Sequence, residues 1–300
     1  MLQSFNPKNE NILVSINGKL LPRKEAMISV FDSAVQGGDA VWEGIRIYNG
    51  RIFCLNEHLN RMIESAHALA FENIPSKEEI KKAIIETLKA NGMNDESHIR
   101  LTLTRGEKTT SGMDPRLNTK GCTLIVLAEW KKPVYGTAEM KLVTSSVRRN
   151  SPMNLDSKIH HNNLINNILA KIEANVAGAD DALMLDNFGF VAETNSCNIF
   201  YSKNGILYTP SADACLPGIT RKKVIDIALL NSILLIEKNI SLTEIYNADE
   251  VFTTGTMGEL VLVNEVDGRK IINRSGEKMT SILFSVFKKM TNTEGEPLPF

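Results

Sequence analysis

The chain reads as an α+β protein of two domains. Three observations carry that reading: strand-length apolar runs turned by Asn-Gly pairs, helix-period apolar stripes opened by capping residues, and a short basic, Pro- and Gly-containing stretch near residue 131. Its 300 residues bury ample core for one large or two moderate domains. The expected boundaries are 1–130 for a small N-terminal domain, 131–137 for a linker within Lys131-Lys132-Pro133-Val134-Tyr135-Gly136, and 138–300 for a larger C-terminal domain.

In the N-terminal part, Ile12 to Ile16 alternates like a strand, Asn17-Gly18 is a hairpin turn, and Lys19-Leu20-Leu21-Pro22 leaves it. A second pair, Ile45 to Tyr48 and Arg51 to Cys54, turns at Asn49-Gly50. Between them, Gln36-Gly37-Gly38-Asp39 allows unusual backbone angles or close approach of another segment. Asn56 is the expected cap of a helix whose apolar stripe is Leu59, Met62, Ile63, Ala66 and Leu69, with Arg61 off the stripe. Ser76-Lys77-Glu78-Glu79 is a capping box for a second helix, which Gly92 closes. Strands from His98 to Thr104 and from Thr123 to Glu129 flank a polar loop, residues 105–115.

In the C-terminal part, Leu164, Ile165, Ile168, Leu169 and Ile172 recur at helical spacing, so a helix with one buried face is expected, with Lys158 at its entrance and its end near Gly178. Ala182 to Asp186, a turn at Asn187-Phe188-Gly189, and Phe190 to Glu193 read as a hairpin. A helix is expected from Thr220, and a last one from about Glu277 to Met290. No internal repeat or low-complexity segment interrupts the pattern.

With 43% hydrophobic and 23% charged residues the composition is that of an ordinary globular protein. A formal charge of −1 and a pI near 6.5 leave no footprint for nucleic acid or an anionic membrane. No apolar run approaches the length of a membrane span, and the start, Met1 to Lys8, lacks the basic and apolar regions of a signal peptide, so a cytoplasmic address is expected. Cys54, Cys122, Cys197 and Cys215 are scattered and predict neither a disulfide framework nor a zinc site. His160 and His161 lack further ligands at helical spacing, so no metal is expected and they read as loop or helix-start residues. Trp42 and Glu43 are explained equally well as a packed aromatic and a structural carboxylate.

A lone lysine is a weak signal, because most lysines keep a surface wet. Lys158 has company: Glu193 in Gly189-Phe190-Val191-Ala192-Glu193-Thr194-Asn195, then Leu216-Pro217-Gly218-Ile219-Thr220-Arg221, then Thr253-Thr254-Gly255-Thr256. Pro217-Gly218-Ile219-Thr220 leads into a helical run, so free N–H groups and the positive end of a dipole would face one point, as an anion requires. A plain helix cap would read the same way.

This ordered set resembles the class IV, or fold type IV, pyridoxal-phosphate aminotransferases, the family of branched-chain and D-amino-acid transaminases and aminodeoxychorismate lyase. The resemblance runs from about Ile16 to about Phe287 and implies a small N-terminal α/β domain and a larger, barrel-like C-terminal domain of mixed sheet. It implies that Lys158 holds pyridoxal 5′-phosphate and moves the substrate α-proton, and that Glu193 keeps the pyridine nitrogen protonated so that the ring acts as an electron sink. Burial among apolar neighbours would free such a lysine amine.

Ile219, Thr220 and Thr256 match phosphate contacts of the family, and Arg61, in Glu57-His58-Leu59-Asn60-Arg61, matches its phosphate arginine, expected as the only fixed side-chain cation of that cup. Arg100, in His98-Ile99-Arg100, matches a carboxylate-binding arginine, with His98 in place of a tyrosine. Gln36 and Asp39 look nearer the D-amino-acid transaminases, and Asn163 or Leu164 stands where many relatives place a tyrosine against the ring hydroxyl.

The activity implied is ping-pong transamination between an apolar, branched-chain L-amino acid and 2-oxoglutarate, in a homodimer whose loop around residues 106–114 completes the neighbour's site. The partners are thus amino acids, 2-oxo acids and a second copy. A D-amino-acid transaminase, aminodeoxychorismate lyase and a non-catalytic cofactor-binding protein are the alternatives.

Overall fold

The computed structural model describes residues 3–134, 139–276 and 278–300. Residues 135–137 of the expected linker, Glu277 at the expected start of the last helix, and Met1 and Leu2 lie outside the described residues. The chain divides into two compact units, the first made of Pro133–Lys158 and Leu164–Met290, the second of Leu2–Lys132, Ile159–Asn163 and Thr291–Phe300. The N-terminal unit therefore takes in five residues directly after Lys158 and the last ten of the chain.

That unit is built, among the described residues, on a seven-stranded sheet in the order Glu296–Pro297, Arg51–Ile52, Ala40–Tyr48, Ser97–Thr104, Thr123–Trp130, Leu13–Ile16, Lys19–Pro22. Every pairing in it is antiparallel. Both Asn-Gly pairs adopt the left-handed angles that a two-residue hairpin needs, with Asn17 at φ 49° and Asn49 at φ 48°. Helices Leu55–Ala68 and Lys77–Ala90 bury Leu59, Met62, Ile80, Ile84 and Leu88 against one face of the sheet, where Ile45, Ile99 and Val126 complete the core. The capping box at Ser76 is formed, with Glu79 returning to the Ser76 amide. Asn56 does not cap its helix: the helix begins at Leu55 behind Cys54, which takes φ 52° as the chain turns out of the preceding strand.

The other unit carries a nine-stranded mixed sheet among its described residues, in the order Leu235–Lys238, Ile206–Pro210, Asn198–Lys203, Glu250–Gly255, Glu259–Val266, Met140–Thr144, Asp181–Leu185, Val191–Thr194, with Arg269–Lys270 beside Glu259–Val266. The sheet curls until Val191–Thr194, at one end of that order, lies against Asn198–Lys203, the third strand from the other end. The hairpin at 186–190 forms as expected, with Gly189 at φ 88° and the Asp186 carboxylate accepting from the amides of Phe188 and Phe190. Ile199, Tyr201, Val251, Val261 and Val263 pack as the inner core.

Two expectations for the stretch after Lys158 are corrected. Lys158 lies in a turn, and the helix starts only at Ile165 and runs to Val176, because residues 160–162 are held as extended chain beside Ala40–Tyr48: Trp42 N–H donates to His160 O at 3.0 Å and Asn162 N–H to Ala40 O at 2.7 Å. The helix buries its alanines, Ala170 and Ala174, against Ala182 and Met184. Its large apolar side chains face outward, with Ile165 60% and Ile172 51% exposed. Small residues on that side let the helix lie close on the strand, and the stripe that periodicity identified is the opposite face. The helix expected from Thr220 spans Ile219–Leu230, and the last helix spans Met279–Thr293.

Candidate active site

Asn198 is the point around which the C-terminal unit assembles its candidate functional side chains. Its amide donates to Glu193 Oε2 at 3.0 Å and to Leu216 O at 2.8 Å. It is the cross-strand partner of Thr254, at the end of the sheet where Gly255 leads into the turn carrying Thr256. Gly218 packs so tightly on it that a Cβ there would stand 2.1 Å from Asn198 Oδ1. The carboxylate of Glu193, the start of the Ile219–Leu230 helix and the Thr254–Thr256 turn thus meet at one asparagine. The motif string contains Asn198, but nothing in its spacing assigns it this role.

Glu193 is buried, and its second partner is Arg149, whose Nε–H donates to Oε1 at 2.7 Å. Burial pushes the Glu193 carboxyl above its ordinary range, while the Arg149 guanidinium pulls the other way. Arg149, itself only 6% exposed, escaped sequence reading because 44 residues separate it from its partner. The only local signal was a basic pair, Arg148-Arg149, next to a strand.

The helix start fits an anion. Gly218 is its N-cap with no side-chain hydrogen bond, so the first-turn N–H groups are left to an external acceptor. Thr220 is buried, Ile219 half-buried, and Thr254 Oγ1 is buried without a hydrogen-bond partner among the described residues.

Lys158 belongs to the same unit. Its Nζ reaches Asp213 O at 3.4 Å, in the loop that leads to Gly218, and stands 3.7 Å from Asp156 Oδ1. The side chain is 44% exposed, so the buried apolar surround expected for it is not what the fold provides. The buried thiol of Cys215 lies within the fields of Glu193, Arg221, Arg149 and Lys158, and burial pushes it up to about 12.

Arg61, Arg100 and His98 belong to the N-terminal unit. Arg61 is not an uncompensated cation: Nε donates to Glu43 Oε1 at 2.8 Å and Nη2 to Oε2 at 2.7 Å. Fully buried Glu43 is also met by His58 Nδ1 at 2.7 Å and His160 Nδ1 at 3.1 Å. Burial disfavours the Glu43 charge, yet His160 and Arg61 hold the carboxyl well below the usual range. Burial holds His160 down at about 4, so its imidazole is neutral near pH 7. Glu43 and His160 are therefore members of one polar core rather than incidental residues.

Arg100 lies on the opposite face of the same sheet, beside Gly44 in register, with its guanidinium carbon 3.4 Å from the centre of the Trp42 ring and Nη2 donating to Asn162 Oδ1 at 2.7 Å. His98, on that face, is buried, and burial together with Lys131, Arg46 and Arg100 drives its imidazole well below its ordinary range. Among the described residues no cluster of three His, Cys, Asp or Glu side chains could hold a metal ion, and no helix is long and apolar enough to cross a membrane.

The family model described as amino-transferase class IV matches residues 40–266. The chain is 56% identical over 294 residues, 98% of its length, to branched-chain-amino-acid aminotransferase-like protein 1 of Arabidopsis thaliana, of which the match covers 53%. The chain thus spans about half the length of that relative. It is 41% identical over 283 residues to the putative branched-chain-amino-acid aminotransferase of Methanocaldococcus jannaschii, covering 94% of this chain and 97% of the relative. Among solved structures, the T.th. branched-chain amino acid aminotransferase complexed with N-(5′-phosphopyridoxyl)-L-glutamate superposes with a TM-score of 0.88 at 34% identity, over 94% of this chain and 95% of that one. On the breadth of the family match and the identity to full-length relatives, the chain belongs to the class IV aminotransferases.

Proposed function

We propose that this chain is a pyridoxal-phosphate-dependent transaminase that moves an amino group between an apolar, branched-chain L-amino acid and 2-oxoglutarate in two half-reactions. The observation that carries the reading is the convergence of Glu193, the uncapped start of Ile219–Leu230 and the Thr254–Thr256 turn on Asn198, in the unit that also bears Lys158. Names and bound ligands of the relatives point the same way.

When bound, pyridoxal phosphate supplies an electron sink for the substrate α-carbon. Amides of Ile219 and Thr220, with the hydroxyls of Thr220 and Thr256, would bind its phosphate. Glu193, paired with Arg149, would hold a proton at the pyridine nitrogen. Lys158, on a turn and half-exposed, is free to carry a proton to and from the substrate α-carbon. Arg100 would bind a substrate carboxylate. Unlike Arg61, Arg105, Arg149 and Arg221, each paired with a carboxylate of this chain, it has neutral partners.

The D-amino-acid alternative drew on Gln36 and Asp39, and both have structural work: Gln36 donates to Val30 O at 3.3 Å, and Asp39 binds Arg105 at 2.6 Å. We further propose a homodimer, supported by the outward stripe Ile165, Ile168, Leu169, Ile172 and Val176, which water would otherwise cover. A reducing, cytoplasmic setting is supported by four cysteines that are all thiols.

The test is the near-visible absorbance of the cofactor-loaded protein titrated separately with L-leucine and D-alanine. Loss of the band with L-leucine alone is expected. Loss with D-alanine alone would replace the reading by the D-amino-acid one, and a protein that acquires no band, with or without Lys158→Ala, would remove it.

A further inference from the structure

Arg100 is a half-buried guanidinium whose direct contacts are uncharged; the carboxylate of Glu43, itself paired with Arg61, reaches it only through its field. Its cross-strand neighbour is Gly44, which has no side chain, so the space above Gly44 is shared by the rings of His98 and Trp42: a Cβ there would lie 3.0 Å from His98 Nε2 and 3.5 Å from Trp42 Cζ3. Trp42 takes the guanidinium on its face at 3.4 Å and is itself fixed on both sides, its ring 4.2 Å from that of His160 and its Nε1–H donating to His161 O at 3.2 Å. Asn162 Oδ1 takes one guanidinium N–H at 2.7 Å, and the Asn162 backbone is tied to Ala40 O at 2.7 Å. Each of these partners orients Arg100, and each is uncharged.

Arg149 and Arg221 offer the contrast that matters. Both, more deeply buried than Arg100, are met by a carboxylate, whereas buried Arg46 is held by neutral groups, Lys131 O and the Tyr48 ring. An arginine that must bind an incoming anion has to be oriented without a bonded carboxylate, because an internal carboxylate would compete with the ligand for the same N–H groups. Aspartate has nearly the shape of asparagine but carries that charge and lacks the amide N–H donors.

Resting on the reading of Arg100 as a carboxylate receptor, we propose that Trp42 and Asn162 are positioning residues that hold Arg100 oriented with its N–H groups free of any directly bonded carboxylate, and so set the preference of Arg100 for a dicarboxylic over a monocarboxylic partner. Asn162 is four residues beyond Lys158, so the segment that follows the lysine carries a determinant of substrate class as well.

The experiment measures affinity of the cofactor-loaded protein for glutarate and for 4-methylpentanoate, by calorimetry, in the wild type, Asn162→Asp, Trp42→Phe and Arg100→Ala. Asn162→Asp preserves shape and supplies an internal counter-ion, so the ratio of glutarate to 4-methylpentanoate affinity should fall about tenfold or more, consistent with loss of a charge-assisted contact. Trp42→Phe, which keeps an aromatic face but weakens the cation–π contact, should lower the ratio by about two- to fivefold.

A purely structural role would lower both affinities together and leave the ratio where it was, which overturns the proposal. An unchanged ratio in Arg100→Ala removes the carboxylate-receptor reading itself. A ratio changed in Arg100→Ala but not in Asn162→Asp or Trp42→Phe removes only the positioning role. Should Asn162→Asp fail to retain cofactor, Trp42→Phe decides.

Discussion

Both carboxylate oxygens of Glu43 are engaged by a single guanidinium, that of Arg61, at 2.8 and 2.7 Å. Because Glu43 is fully buried, removing either partner strands a charge. Glu43→Ala should lower unfolding free energy by about 3–5 kcal/mol, whereas Glu43→Leu combined with Arg61→Met should cost distinctly less. Urea unfolding of the two variants checks the order. A double variant worse than Glu43→Ala would show that the pair contributes more than it costs to bury.

Arg149 and Glu193 form the second buried pair, and here the pH dependence carries the test. In Arg149→Met, Glu193 loses its nearest cation, burial is opposed only by the Leu216 amide and the field of Arg221, and its carboxyl rises further above the ordinary range. A carboxyl whose folded pKa is raised binds its proton more tightly in the folded state, so the variant should lose stability as pH rises through that pKa and recover on acidification. Thermal unfolding of wild type and variant from pH 5 to 8 gives the difference. A stability gap that stays constant across that range contradicts the account.

Gly218 has no room for a methyl group beside Asn198 Oδ1. Gly218→Ala should displace Asn198 or the helix start, at about 1–3 kcal/mol of strain, and weaken retention of pyridoxal phosphate. Equilibrium dialysis should show the loss for pyridoxal phosphate and a much smaller one for pyridoxal, which lacks the phosphate. Equal losses would assign the effect to Glu193 through Asn198 instead.

His160 is held at about 4 by burial against an ordinary value near 6.5. Between these values the unfolded chain binds a proton that the folded chain does not, so the folded state loses stability as pH falls from about 6.5 toward 4, by at most ~1.4 kcal/mol per pH unit for this group. Glu43, depressed below its ordinary range, adds to the loss only lower in the acid range. His160→Gln should flatten the profile between pH 6.5 and 5, read as the urea midpoint, and an unaltered slope would place the titrating group elsewhere.

The sequence by itself determined whatever is decided within a few residues. The left-handed angles at Asn17-Gly18 and Asn49-Gly50, the capping box from Ser76 to Glu79, the hairpin about Gly189 and the helix after Gly218 were legible because turn chemistry and caps are local hydrogen-bonding problems. The family motifs around Lys158, Glu193 and Ile219-Thr220 were legible for the same reason, as short contiguous strings.

Tertiary structure alone decided where those strings meet and which charges are already matched. Periodicity marked an apolar stripe on Ile165–Val176 but could not say that Ala170 and Ala174 would take the inner side, since a stripe is equally satisfied by a core or by a second surface. Arg61 could be matched to a motif, yet its pairing with Glu43 spans 18 residues; Arg149 to Glu193 spans 44, and Arg100 to Asn162 spans 62. Ion pairing depends on distance and burial, neither of which the chain order records, so which arginines meet a carboxylate and which are held by neutral groups appears only once the chain has folded.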